Sequence, residues 1–151
     1  MKKIAVALAL MVAVSVSISA QEKTKVNDQA AAQMLLGKHR LSLQWVSWDY
    51  FGTAGVTNRG GVYKILGSQR GRGKASSDFV QINGTITAID TKEFRFHGEI
   101  ITQVSHINGG SPCSRVGAFT FKITSNRKYW RLQQMDNPCD QVTDYVDIYF
   151  K

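Results

Sequence analysis

The sequence predicts an all-β fold, an antiparallel up-and-down barrel of about 7–8 strands with one short N-terminal helix. Three observations carry this expectation. From residue 38 onward, apolar residues recur at every second position in one segment after another, which is the period of strands with one buried face. The segments are joined by short polar turns such as Asp90-Thr91-Lys92 and Ser125-Asn126-Arg127, as hairpins require. One stretch alone carries helix signals. So many strands with so little helix form a sandwich or a barrel, and closing a meander into a barrel removes its exposed edges.

Residues 1–20 read as a secretory signal peptide. Lys2 and Lys3 precede an apolar run from Ile4 to Val16, and Ser17-Ile18-Ser19-Ala20 supplies small residues before Gln21, the three regions of such a leader. The run is too short to span a membrane, and polar sequence follows it at once. The chain therefore divides into a leader (1–20), an N-terminal segment with the helix (21–37) and a barrel domain (38–151). In the second part, Asn27 is a candidate N-cap for a helix over Asp28 to Leu36, closed by Gly37.

The strands follow in order. Arg40 to Trp48 sets Leu41, Leu43 and Trp45 on one face, and a second strand runs near Val62 to Leu66. The third, Phe79 to Ile89, turns Val80, Ile82, Ile86 and Ala88 inward. The fourth, from Phe94 to about Ser105, buries Phe94, Phe96, Ile100 and Val104, with Arg95, His97 and Glu99 outside. Val116 to Thr124 contributes Phe119, Phe121 and Ile123; Lys128 to Met135 contributes Trp130 and Leu132; Val142 to Phe150 contributes Val142, Val146, Ile148 and Phe150. Seven strands would bring the first and last together in parallel. An eighth within Phe51 to Thr57 restores antiparallel closure; otherwise one seam stays open or the helix covers it.

Alternate connections of a meander share an end. The loops at 67–77, 107–114 and 136–141 are expected at one end, and those at 49–60, 90–92 and 125–127 at the other. The two cysteines, Cys113 and Cys139, fall in loops of the first set, each directly after a proline. An exported chain keeps disulfides, and the spacing matches neither a zinc site nor a Cys-x-x-Cys redox pair. A structural bridge is expected.

The same end gathers the candidate ligand residues. Arg70, Arg72 and Lys74 are interleaved with glycines in the 67–77 loop, and Arg115 lies close by; such cations suit a carboxylate, phosphate or sulfate. Trp45, Trp130, Phe119 and Phe121 would line an aromatic cup, since an eight-stranded barrel has room for one small ligand. Asp144 and Asp147 are three apart on a strand and face opposite ways. Asp144 shares the apolar face of Val142 and Val146, so it needs a partner such as Arg115 or Arg131. His39, His97 and His106 lie on separate stretches without metal-ligand spacing, and no nucleophile elbow or cofactor fingerprint is present. No catalytic residue, metal or cofactor is expected. The net charge of +8 is spread along the chain without an aromatic-basic nucleic-acid motif, and so reads as an affinity for anionic surfaces or ligands in general.

A short helix, then Leu36-Gly37-Lys38-His39-Arg40-Leu41 leading into the first strand, then a meander carrying Thr143-Asp144-Tyr145, resembles the lipocalin-like (calycin) barrels. His39 stands where lipocalins carry the tryptophan of Gly-x-Trp. The resemblance implies a secreted or periplasmic, non-enzymatic barrel holding a small apolar or anionic-headed ligand. The alternative is an envelope module with a packed interior that binds another protein or a polymer through its outer surface.

Overall fold

The structure, a computed structural model, describes residues 21–151; the expected leader lies outside the described residues. Among the described residues nine strands and one α-helix succeed one another: β1 (Lys25–Val26), α1 (Gln29–Leu35), β2 (Gly37–Leu43), β3 (Gly52–Arg59), β4 (Val62–Arg70), β5 (Phe79–Ile89), β6 (Glu93–Gln103), β7 (Cys113–Lys122), β8 (Tyr129–Leu132) and β9 (Val146–Tyr149). Each strand from β2 to β9 pairs antiparallel with the next, and β9 returns to β2 with Leu41 opposite Ile148. The result is a closed eight-stranded up-and-down barrel. The β1 strand adds in parallel beside Ala88 and Ile89 of β5, where the β4 pairing has ended at Ile86.

The eighth strand is β3, in the segment where closure demanded one. Its alternation is faint in sequence because Ala54 and Val56 are its inward residues, with Gly55 between them. This shifts two loop assignments. Residues 49–60 are mostly strand rather than a loop at the far end. The first barrel strand stops at Leu43 instead of Trp48, since Val46 and Ser47 donate back to Leu43 O in a turn. The connection at 44–51 therefore lies at the disulfide end, and the Gly60-Gly61 hairpin lies opposite.

The helix starts one residue later than the sequence suggests. Asp28, not Asn27, is its N-cap, accepting from Ala31 N at 2.9 Å, as a short side chain with non-helical backbone does. Its buried residues Ala31, Ala32 and Leu35 join the barrel core from the end opposite the disulfide. His39 ties the helix to the wall. Its ring nitrogens lie 2.8 Å from Leu35 O and 3.0 Å from Tyr149 O, and its ring stands edge-on to Trp130.

The barrel axis is filled with rings. Phe94 stacks on Phe121 at 5.2 Å and Phe96 on Phe119 at 5.2 Å, while Trp130 meets Phe94 edge-on at 5.9 Å. Leu41, Leu43, Ile65, Ile82, Ile100, Leu132 and Ile148 pack around them without solvent exposure. Phe119, Phe121 and Trp130, expected to line a cup, are thus part of a packed interior.

One row across the barrel is held open by glycine. Gly84, Gly98 and Gly117 are register partners on β5, β6 and β7, where long strands must bend sharply. A Cβ at Gly98 would lie 2.1 Å from Asn83 O and 2.5 Å from the Gly84 Cα. Both obstacles are backbone, so Gly98→Val is expected to destabilise by about 3 kcal/mol in chemical unfolding; an unchanged midpoint would contradict this close approach.

Candidate binding site

The disulfide end is closed by side chains that tie its loops together. The Cys113–Cys139 bond is present, with Cα atoms 5.9 Å apart; it joins the start of β7 to the loop between β8 and β9. Gln69, buried at the end of β4, accepts from Leu43 N at 2.7 Å and donates to Ser47 O and Tyr50 O. The 44–51 loop is thereby folded over the mouth. Asp78 accepts from Ser105 N across to the next loop at 2.9 Å.

Asp140 accepts from Asn108 N at 2.7 Å. This N–H, with that of Gln141, holds the Asp140 carboxyl below its ordinary value of 3.8. A carboxyl so lowered stabilises the fold when ionised. Its contribution is complete above the ordinary aspartate range and is lost as pH falls through the folded-state value. Asp140→Asn is expected to flatten the acid limb of a Tm–pH profile, and an identical limb would contradict the tie.

The expected ligand residues do not form one site. Arg70 lies over the Phe79 ring at 5.2 Å and Arg72 over Tyr50 at 4.2 Å, with exposed Lys74 in a short 3-10 turn beyond them. These three stay together at the rim. Arg115 is turned inward instead, paired with Asp144 at 3.2 Å and donating to Gln134 O at 3.0 Å. Asn137 donates to the same Asp144 oxygen at 3.1 Å. Burial raises the Asp144 carboxyl and lowers the Arg115 guanidinium, desolvation outweighing their mutual attraction on both sides. Arg115 Nε, Asp144 Oδ1 and Trp45 Nε1 are buried there without a hydrogen-bond partner among the described residues. Trp45 sits half-buried in the 44–51 loop, edge-on to His106, apart from Trp130. His97 is exposed on the outer wall.

The chemistry free to meet a ligand lies on the outer wall of β8, β9 and β2. Asp147, on the face opposite Asp144, is covered by Arg131, which donates to both its carboxylate oxygens at 2.7 Å. That bond raises the Arg131 pKa, and the guanidinium lies over Tyr145 at 4.2 Å and Tyr129 at 5.2 Å. Further along, Arg40 lies over Phe51 at 4.7 Å and Tyr149 at 5.3 Å. Tyr149 is held by Ser42 Oγ at 3.3 Å.

Beside Arg40 the wall opens. The β9 strand pairs with Leu41 to Leu43 only, and the chain beyond it follows β8, with Phe150 N donating to Lys128 O. The first half of β2 thus has no strand on that side. The gap is a hollow of about 630 Å³ lined by Lys38, His39, Arg40, Thr53, Lys128, Phe150 and Lys151. Ion pairs among the described residues engage Arg95, Arg115, Lys122 and Arg131; none engages the four cations of the hollow. Sequence reading missed this group. Its signal was Lys38 and Arg40 on one face of the first strand, but the neighbours that complete it depend on barrel closure.

The molecule is thus a closed eight-stranded antiparallel β-barrel with a packed interior and a cationic hollow in its outer wall. It belongs to the PM1083 family, whose model matches residues 23–150. Among curated proteins, it is similar to the uncharacterized protein PM1083 of Pasteurella multocida (strain Pm70), 49% identical over 116 residues that cover 77% of this chain and 73% of that one. No solved structure matches. The matching family carries no lipocalin description, and the closed barrel is what supports the likeness to lipocalin-like barrels.

Proposed function

We propose that this chain is an exported, non-enzymatic binding protein that holds an anionic-headed small molecule against its outer wall, in the hollow between β2 and the chain beyond β9. The carrying observation is the convergence of Lys38, Arg40 and Lys128 on one hollow, where no ion pair among the described residues engages them. Its volume falls within the range of small-molecule sites, about 300–1,000 Å³. Phe150 and the lysine stems give an apolar body something to pack against. The disulfide fits an oxidising compartment, periplasmic or extracellular, and the leader read at residues 1–20 would direct the chain there. Among the described residues no helix is long and apolar enough to cross a membrane.

A packed interior also favours the second reading, a module that binds another protein or an envelope polymer. Its specific support is at the disulfide rim, where Trp48 is 51% and Tyr145 37% exposed.

Titration calorimetry with octanoate, against octanol as the uncharged control, tests the proposal. Replacing Lys38, Arg40 and Lys128 together by Ala is expected to weaken octanoate binding by roughly tenfold or more, since each cation gives a charge-assisted contact. The same change at Arg70, Arg72 and Lys74 is expected to leave it unaltered. The reverse pattern would move the site to the rim, and no octanoate binding at all would remove the proposal.

A further inference from the structure

We infer that the hollow beside β2 is a phosphomonoester site organised by Arg40; this rests on the proposed binding at that hollow and names the head group it takes. On the outer wall two arginines each lie over a pair of aromatic rings. Arg131, over Tyr145 and Tyr129, has its planar fork filled by both oxygens of Asp147. Arg40, over Phe51 and Tyr149, has the same aromatic support and no anion: no ion pair or side-chain hydrogen bond to a described residue engages it. The support is itself braced, since Phe51 meets Tyr149 edge-on at 5.1 Å and Tyr149 is held by Ser42. A guanidinium fixed in this way has already lost the freedom that a bidentate contact would cost it, and its geometry matches a pair of oxygens on carbon or phosphorus.

The surroundings choose between those two. Asp147 satisfies Arg131 with two oxygens and one negative charge. Arg40 shares its hollow with Lys38, Lys128 and Lys151, and with the Thr53 hydroxyl. A carboxylate offers two oxygens and one charge. A phosphomonoester offers three terminal oxygens and between one and a half and two charges near neutral pH, about what two lysines and a guanidinium fork can engage together. His39 takes no part in the contact, because both its ring nitrogens face carbonyl oxygens of the fold. A soluble ester and a lipid head group present the same chemistry to this site.

The test compares octyl phosphate, octanoate and inorganic phosphate on the disulfide-bonded protein. Octyl phosphate is expected to bind roughly tenfold more tightly than octanoate. Arg40→Lys keeps the charge but not the fork, and is expected to abolish that preference while octanoate still binds. Phe51→Leu, which removes one of the two rings under Arg40, is expected to reduce it several-fold. Vesicles of phosphatidylcholine with and without phosphatidic acid separate a lipid source from a soluble one: capture only by the former indicates lipid, and octyl phosphate binding without capture indicates a soluble ester. Equal affinity for octanoate and octyl phosphate, or an undiminished preference in Arg40→Lys, would overturn the inference and leave anion binding at the hollow intact. Failure of every anion to bind would remove both.

Discussion

Asp144→Ala is expected to cost the fold about 3–5 kcal/mol, the range for breaking a buried ion pair from one side. In a domain of this size that corresponds to a fall in Tm on the order of 10–20 °C. The carboxylate is 1% exposed, and its removal leaves the Arg115 guanidinium, 8% exposed, beside Gln134 O with no counter-charge. Asn137 loses its acceptor as well. Most of the loss is this stranded charge, not the worth of the pair. The double replacement Arg115→Met with Asp144→Leu is therefore expected to recover most of the stability, because burying the two charges was costly from the start. A double variant as unstable as the single one would show that the pair does more than neutralise itself.

Replacing Cys113 and Cys139 by Ser is expected to cost about 3.5 kcal/mol, the chain-entropy value for the ring that a separation of 26 residues closes. Unfolding of the oxidised protein with and without dithiothreitol measures it. Structural change in the folded state should be confined to the rim, where the bond and the Asn108–Asp140 contact hold adjacent loops. Lys38 and Lys128 lie towards the helix end of the barrel, so anion binding at the hollow is expected to survive reduction wherever the protein is still folded. Loss of binding in a reduced but folded sample would place the site at the disulfide end.

Inward and outward residues were readable wherever strands alternate strongly. Phe94 and Phe96 against Arg95 and His97, or Val146 and Ile148 against Tyr149, need only the pleat to be assigned. That Asp144 needs a cation was readable too, because a carboxylate on an apolar face demands a partner; the sequence offered Arg115 or Arg131, and the structure pairs it with Arg115. The extent of β2 was less clear, since the turn after Leu43 is set by Gln69 from a distant strand. The hollow was illegible for a similar reason. Lys38, Lys128 and Phe150 lie far apart in sequence and meet because the barrel closes where β9 returns to β2. The sequence pointed instead to the glycine- and arginine-rich 67–77 loop, whose cations are conspicuous in a linear reading. Its rings and cations remain a competing rim site under the same binding assays.

Amide chemical-shift mapping during titration with octyl phosphate tests most directly whether this barrel binds on its outside. The largest shifts are expected at Lys38, Arg40, Thr53, Lys128 and Phe150, with Phe119 and Phe121 unchanged. Shifts concentrated on Phe119, Phe121 and the interior strands, or on Arg70, Arg72 and Lys74, would contradict it.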